Sequence, residues 1–244
     1  MILNTNIKYF NYASFNRIDK NVFYTIYRQM IKEIKDSNSI EFKQSIEIYK
    51  SSFPHNETRP SNEIENMLKN DNNYHLIASL NNNTVIGISL LYIFKSLNIG
   101  LLDYLAITPS FRGYGVGKEL FNFTFEKFKK MDSNGIGLLL EIQKENVFDQ
   151  QEKDTRKKRI RFYSKLGVKL LDKVNYLLPA IYPNAIEEEM YLMIKPIKKI
   201  NYLSKDQVLR YISKIYHIVY QYFNNDLINI IYNTMPEKII IRSL

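Results

Sequence analysis

Three of the chain's eight glycines fall at positions 113, 115 and 117. They lie between an apolar stretch that ends in Ile107-Thr108-Pro109 and a segment whose apolar residues recur at helical spacing. A strand must therefore turn sharply into a helix at this point. Without Cβ atoms in the way, backbone N–H groups converge, and successive amides backed by a helix N-terminus form a cradle for an anion. Arg112 and Lys118 flank it with positive charge. The expected ligand is a phosphate or pyrophosphate. A Walker A loop is excluded, because Gly113 and Gly117 stand one residue too close and Glu119 occupies the place of the Mg²⁺-binding hydroxyl. A dinucleotide fingerprint is excluded as well: the spacing is G-x-G-x-G, and it follows several strands instead of opening the fold.

The rest of the chain sets the loop in context. Residues 20–36 place Val22, Phe23, Ile26, Met30 and Ile34 near one helical face, and a polar D-S-N-S at 36–39 ends that pattern. Helices are expected at 41–52, stopped by Phe53-Pro54, and at 61–69 with Ser61 as N-cap. The period then changes to that of strands at 74–80, 84–95 and 99–108, with N-N-N at 81–83 as a turn. A helix at 115–131 should bury Val116, Leu120, Phe123, Phe128 and Met131, with Lys127 snorkelling outward. A nearly continuous apolar strand at 136–143 is followed by a helix at 154–166 with Gly167 at its C′ position. Strands at 168–178 and 189–196 and helices at 204–223 and 226–234 complete the reading. The order predicts an α/β (α+β-like) domain with a central mixed, mostly antiparallel sheet flanked by helices.

Composition narrows the function classes. Hydrophobic residues make up 45% and charged residues 24%, the balance of a folded globular chain. No apolar run reaches the roughly 18 residues of a membrane span, the first twelve residues lack a signal peptide's h-region, and the chain is read as cytoplasmic. With no cysteine, thiolate chemistry is impossible, and the isolated His75 and His217 make no metal site. The net charge of +9 raises the question of nucleic acid. The positive residues are scattered, however, and the excess of Ile, Asn, Lys and Tyr is that of biased codon usage. The charge is therefore read as composition, compatible with an anionic cofactor, and not as a nucleic-acid surface.

The spacing Arg-x-x-Gly-x-Gly, at Arg112, Gly115 and Gly117, resembles the pyrophosphate loop of the GNAT acetyltransferases. Three further segments resemble that family in the right order: F-P-H-N-E-T-R-P at 53–60, V-I-G-I-S at 85–89 and R-F-Y-S-K-L-G-V at 161–168. The resemblance spans about residues 41–197. It divides the chain into an N-terminal helical extension (1–40), an acetyltransferase domain (41–197) and a C-terminal helical extension (198–244). It also implies a sheet splayed between its fourth and fifth strands, here 101–107 and 137–143.

What the resemblance implies for chemistry is specific. Acetyl-CoA is the co-substrate, no metal takes part, and the acceptor is a small-molecule or peptide amine. Cofactor contacts run along Leu105, Ala106 and Ile107 and around the loop through Arg112, Gly113, Tyr114, Gly115, Val116, Gly117 and Lys118. The Leu105 N–H is the candidate to polarise the thioester carbonyl. Tyr163 matches the tyrosine that protonates the departing thiolate. The acceptor must also lose a proton, and Asp103 and Glu141 are the candidate bases, each alternatively a structural partner for a basic side chain. By strand alternation Asp103 should share a face with Leu105. Arg156 and Arg159 stand where the family often carries Asn and Ala, so the cofactor's exit side departs from the pattern. A catalytically silent acyl-CoA-binding module is the alternative. The apolar terminal helices are expected to pack on the chain's own core or across a homodimer axis.

Overall fold

The N-N-N turn forms as its residues require. Asn82 and Asn83 both adopt left-handed backbone (φ 47° and 65°), the two-residue turn that matches strand twist, and they join strands β2 (Tyr74–Asn81) and β3 (Thr84–Phe94). The computed structural model describes residues 29–53, 58–180 and 186–244. Around this hairpin a ten-stranded sheet is built. The further strands are β1 (Gln29–Ile34), β4 (Ile99–Ile107), β5 (Gly137–Gln143), β6 (Lys169–Leu171), β7 (Tyr176–Leu178), β8 (Glu188–Pro196), β9 (Tyr202–Ser204) and β10 (Lys238–Arg242). The order is β1-β2-β3-β4-β5-β8-β6-β10-β9, with β7 paired to β8. β4 and β5 pair in parallel, and every other pairing is antiparallel. The expected mixed, mostly antiparallel sheet is present.

Helices cover both faces. α1 (Ile40–Ser52) starts on Ser39, whose hydroxyl accepts from the Phe42 N–H at 3.1 Å, and ends at an extended Phe53. It buries Phe42, Ile46 and Tyr49 against one face, together with α5 (Lys205–Lys214) and α6 (Asp226–Thr234). α3 (Val116–Met131) and α4 (Gln150–Lys165) cover the other. α2 (Ser61–Asn70) buries Ile64. No described helix is long and apolar enough to cross a membrane.

Several expectations need correction. Residues 29–34 form a strand along β2, not a helix. Met30 and Ile34, four apart, look like one helical stripe, but in the strand Ile34 is buried in the core while Met30 is 45% exposed. The remainder of the expected helix, 20–28, lies outside the described residues. Ser61 is the first residue of α2, and Pro60 takes the N-cap without a side-chain bond. On α3, Phe123 is 40% exposed, and Phe121, Thr124 and Phe125 are buried instead. The buried hydroxyl of Thr124 donates to Ser89 Oγ (3.0 Å), so this polar residue marks the centre of the packed face, which an apolar count misses. Lys127 is not extended into solvent: its side chain is 18% exposed and ends in an ion pair with Glu33 at 3.1 Å.

α4 begins four residues before its expected start, because Asp149 caps it by accepting from the Glu152 N–H (2.7 Å). Gly167 takes the left-handed conformation (φ 77°) expected just past the helix. The strand expected at 168–178 is broken into β6 and β7 by a turn at Asp172-Lys173, with Lys173 left-handed (φ 59°). The long helix expected at 204–223 is α5 followed by a π-helical turn, Ile215–Val219, and 226–234 is helical as expected. The strands β9 and β10 add sheet to a segment expected to be helical. β10 pairs with β6, so the C-terminal segment extends the central sheet. Its expected apolar face packs on the chain's own core, with Ile212, Ile215 and Val219 buried.

Candidate active site

β4 and β5 run side by side only from Ile99/Gly137 to Leu102/Leu140. Beyond that point they part, and a cleft of about 1150 Å³ opens between them. A bulge begins the separation: Leu91 faces Leu102 and Leu90 faces Tyr104, leaving Asp103 as the extra residue of β4. The bulge breaks alternation. Asp103 and Tyr104 both turn toward the α1 side, whereas Leu105 packs toward α3 and α4. Asp103 and Leu105 therefore do not share a face, contrary to the alternation argument. After the bulge the ladder is regular. Thr108 N–H donates to Ile86 O (2.9 Å), so the N–H groups of Leu105 and Ile107 point away from β3 and into the gap.

At the end of β4 the glycine loop has the geometry its composition demands. Gly113 and Gly115 adopt φ 85° and 91°, conformations that L side chains resist. Gly115 is the N-cap of α3 and has no side chain with which to cap the helix start. A Cβ at Gly117 would touch Ile107 and Phe162 at 3.5 Å each. Arg112 Nε donates to Ile107 O (2.9 Å), bracing the loop against the strand. Gly113, Gly115, Gly117, Arg112 and Lys118 line the cleft, and Lys158, Arg159 and Lys165 from α4 add charge to the wall. Left-handed glycines, an uncapped helix start and five basic side chains fit a pyrophosphate group. Leu105, Ala106 and Ile107 also line the cleft. Tyr114 does not, and Val116 is buried in the core.

The basic run of α4 divides in two. Arg156 is held by Glu152 (2.8 Å), Glu188 (3.0 Å) and the Lys144 carbonyl (3.0 Å), which fastens α4 to the ends of β5 and β8. Arg159 lines the cleft and donates to Gln143 Oε1.

Tyr163, Asp103 and Glu141 all reach the same cleft. Tyr163 packs edge-on to Phe121 and Phe162, and burial pushes its pKa up to about 12 against the opposing charge of Arg159. It is a neutral phenol, a proton donor. Asp103 has a basic partner: Arg59 clasps both its carboxylate oxygens, and Tyr74 donates to Oδ2 (2.8 Å). Burial raises the Asp103 pKa, opposed by the guanidinium. Glu141 is different. Its carboxylate accepts from Tyr176 on one oxygen and from Tyr220 on the other (2.6 Å), and among the described residues no cation forms an ion pair with it. Burial, reinforced by Asp103, pushes its pKa up to about 7, and the two phenols and Arg59 hold it from going higher.

Four residues here escaped the sequence reading: Arg59, Tyr74, Tyr176 and Tyr220. Arg59, in the segment F-P-H-N-E-T-R-P, is 3% exposed. The signal that pointed to it was Asp103 itself, since a carboxylate on an apolar strand needs a partner. His55 and Glu57 lie outside the described residues. His75 is paired with Glu33 (2.7 Å), away from the cleft, and His217 stacks on Phe223. Among the described residues no cluster of His, Asp and Glu could hold a metal ion.

A splayed β4/β5 pair with a glycine loop at the cleft's mouth defines an acyltransferase fold, and comparison with known proteins agrees. The model of the acetyltransferase (GNAT) family matches residues 42–168, and the chain belongs to that family. Among solved structures it is similar to a GNAT-family protein from Bacteroides thetaiotaomicron, at 21% identity and a TM-score of 0.62, over 78% of this chain and 98% of that one. It is also similar to an aminoglycoside 6′-N-acetyltransferase complexed with coenzyme A (20%, TM-score 0.53, 70% and 98%). A third is the ribosomal-protein-S18-alanine N-acetyltransferase of Escherichia coli (17%, TM-score 0.50, 70% and 96%). A search of curated proteins returned no match.

Proposed function

We propose that the chain is an N-acetyltransferase that moves an acetyl group from acetyl-CoA to a primary amine by direct attack. The observation that carries the reading is one cleft lined by three things: the end of β4 that leaves β5, the glycine loop, and both a carboxylate (Glu141) and a phenol (Tyr163). When bound, acetyl-CoA supplies the activated thioester. Arg112, Lys118 and the amides of the Gly113–Gly117 loop hold its pyrophosphate. The outward N–H groups of Leu105 and Ile107 receive the pantetheine arm, and the Leu105 N–H stabilises charge on the reacting carbonyl oxygen.

Glu141, poised near neutrality, takes the proton that the acceptor ammonium must lose, and Tyr163 gives one to the departing thiolate. Asp103, locked to Arg59, shapes the bulge and is not the base. Holding both reactants in line supplies much of the rate, and no covalent acyl-enzyme is required. Structural relatives named for an aminoglycoside and for a ribosomal-protein alanine make small molecules and peptide N-termini the acceptor classes to try. Thiol release from acetyl-CoA across a panel of amines tests the reading. Amine-dependent release that disappears in Glu141→Gln and Tyr163→Phe supports it, and release that no amine stimulates defeats it.

A further inference from the structure

The family model ends at residue 168, but the cleft wall does not. Tyr220 lines the cleft from a segment beyond that match, at the end of the π-helical turn Ile215–Val219. The turn is defined by its bonds: Tyr220 N–H donates to Ile215 O (3.2 Å) and Tyr222 N–H to Tyr216 O (2.9 Å). Gln221 then reverses the chain with left-handed backbone (φ 51°). Short π turns and non-glycine left-handed residues are costly, and they persist where the surroundings fix them, often at functional sites.

Here the surroundings are the catalytic strands. The Tyr220 hydroxyl donates to Glu141 Oε2 (2.6 Å). Arg59 Nη1 donates to the Val219 carbonyl (3.2 Å), and its guanidinium lies 5.4 Å from the Tyr104 ring centroid and 5.8 Å from that of Tyr220. The other edge of the same guanidinium holds Asp103 in the β4 bulge. One arginine therefore ties the C-terminal turn to the strand where the cleft begins.

We propose that Tyr220, carried into the cleft wall by the turn at residues 215–220, borders the acceptor site and is the positioning residue that holds the Glu141 carboxylate toward the cleft. The inference rests on reading Glu141 as the base. A carboxylate at the parting of two strands would rotate freely. Two phenols, from Tyr176 on β7 and Tyr220 on the turn, occupy one lone pair on each oxygen and leave the others for an acceptor ammonium. The groups facing Glu141 are these two tyrosines, Asp103 and Arg59, with Tyr216 packed behind Tyr176 and Tyr220. Removing the Tyr220 hydroxyl leaves the ring against Arg59 but removes one of the bonds that favour the ionised carboxylate.

The test is Tyr220→Phe in the full chain, compared with Glu141→Gln. Tyramine, spermidine and a peptide with an N-terminal alanine serve as acceptors, and the fastest is used for pH profiles. Tyr220→Phe should lower kcat/KM for the amine roughly tenfold and move the acid limb upward by about one pH unit. Its acetyl-CoA affinity and melting temperature should stay close to the parent's. A ¹³C-carboxyl NMR titration of Glu141 in the free protein should show the same upward movement. A profile and kcat/KM matching the parent's, with Glu141→Gln inactive, overturn the role of Tyr220 alone. A fully active Glu141→Gln overturns the base reading and this inference with it.

Discussion

Arg59 and Asp103, 44 positions apart in sequence, meet as a two-pronged ion pair with both side chains removed from solvent. The pair joins the loop before α2 to the bulge of β4, and through Val219 it reaches the C-terminal turn. Breaking such a pair from one side leaves a buried charge without a partner, which costs about 3–5 kcal/mol. Arg59→Met and Asp103→Asn should each lower the melting temperature by roughly 10 °C in a chain of this size. The double change Arg59→Met/Asp103→Leu should recover part of that loss. Thermal unfolding of the three variants checks this, and single variants that melt with the parent would show the pair to be dispensable.

The pH dependence follows from Glu141. Its pKa lies at about 7, above the ordinary 4.5, so the ionised base accumulates as pH rises through neutrality. kcat/KM should climb through that range, and Glu141→Gln should abolish the climb. Stability moves the other way. A carboxyl with a raised folded pKa favours the native state at low pH, and that contribution is lost as pH rises through about 7. The melting temperature of Glu141→Gln relative to the parent should therefore be higher at pH 8 than at pH 5. A difference independent of pH would place the titrating group elsewhere.

Tyr163 tests the other proton. With its pKa near 12 it is protonated throughout the working range, as a donor must be. Tyr163→Phe should reduce kcat by roughly 10²–10⁴ and leave acetyl-CoA affinity nearly unchanged, because the ring still packs on Phe121 and Phe162. Calorimetry and initial rates separate the two effects.

Two glycines of the loop differ in what a side chain would do there. Gly115 sits at φ 91°, so a side chain there strains the backbone and confounds stability with binding. Gly117 has no such constraint, and a Cβ there makes only ordinary contacts. Gly117→Ala should keep the fold, with a modest loss of melting temperature, and weaken acetyl-CoA binding by crowding the amides at the helix start. Unchanged affinity by calorimetry would count against the cradle.

What the sequence revealed depended on range. The hairpin at Asn82-Asn83, the apolar β5 and the glycine loop are local. Turn chemistry, continuous hydrophobicity and missing side chains announce them within a few residues. The glycine-loop side of the cleft was legible for that reason. The opposite wall was not. It joins Arg59, Asp103, Glu141 and Tyr220, which come from four separate parts of the chain, and no periodicity links them. β1, β9 and β10 were missed because strand identity there comes from pairing with distant edges, not from local pattern.

The C-terminal segment provides the last prediction. Residues 201–244 contribute Leu203, Val208, Tyr211, Ile212, Ile215, Tyr216, Val219, Ile231 and Ile239 to the core. They also form β9 and β10, the latter paired with β6, so their removal strips two strands from the sheet and uncovers an apolar face. Arg59 loses the Val219 carbonyl and the Tyr220 ring, and Glu141 loses one of its two hydrogen-bonded phenols. A chain ending at residue 200 should therefore aggregate or melt well below the parent, and its soluble fraction should be inactive toward amines. Adding the missing segment back as a separate polypeptide should restore solubility and activity together, because the same residues serve both. A soluble, monodisperse and fully active shortened chain would show instead that the segment is independent of the acetyltransferase core.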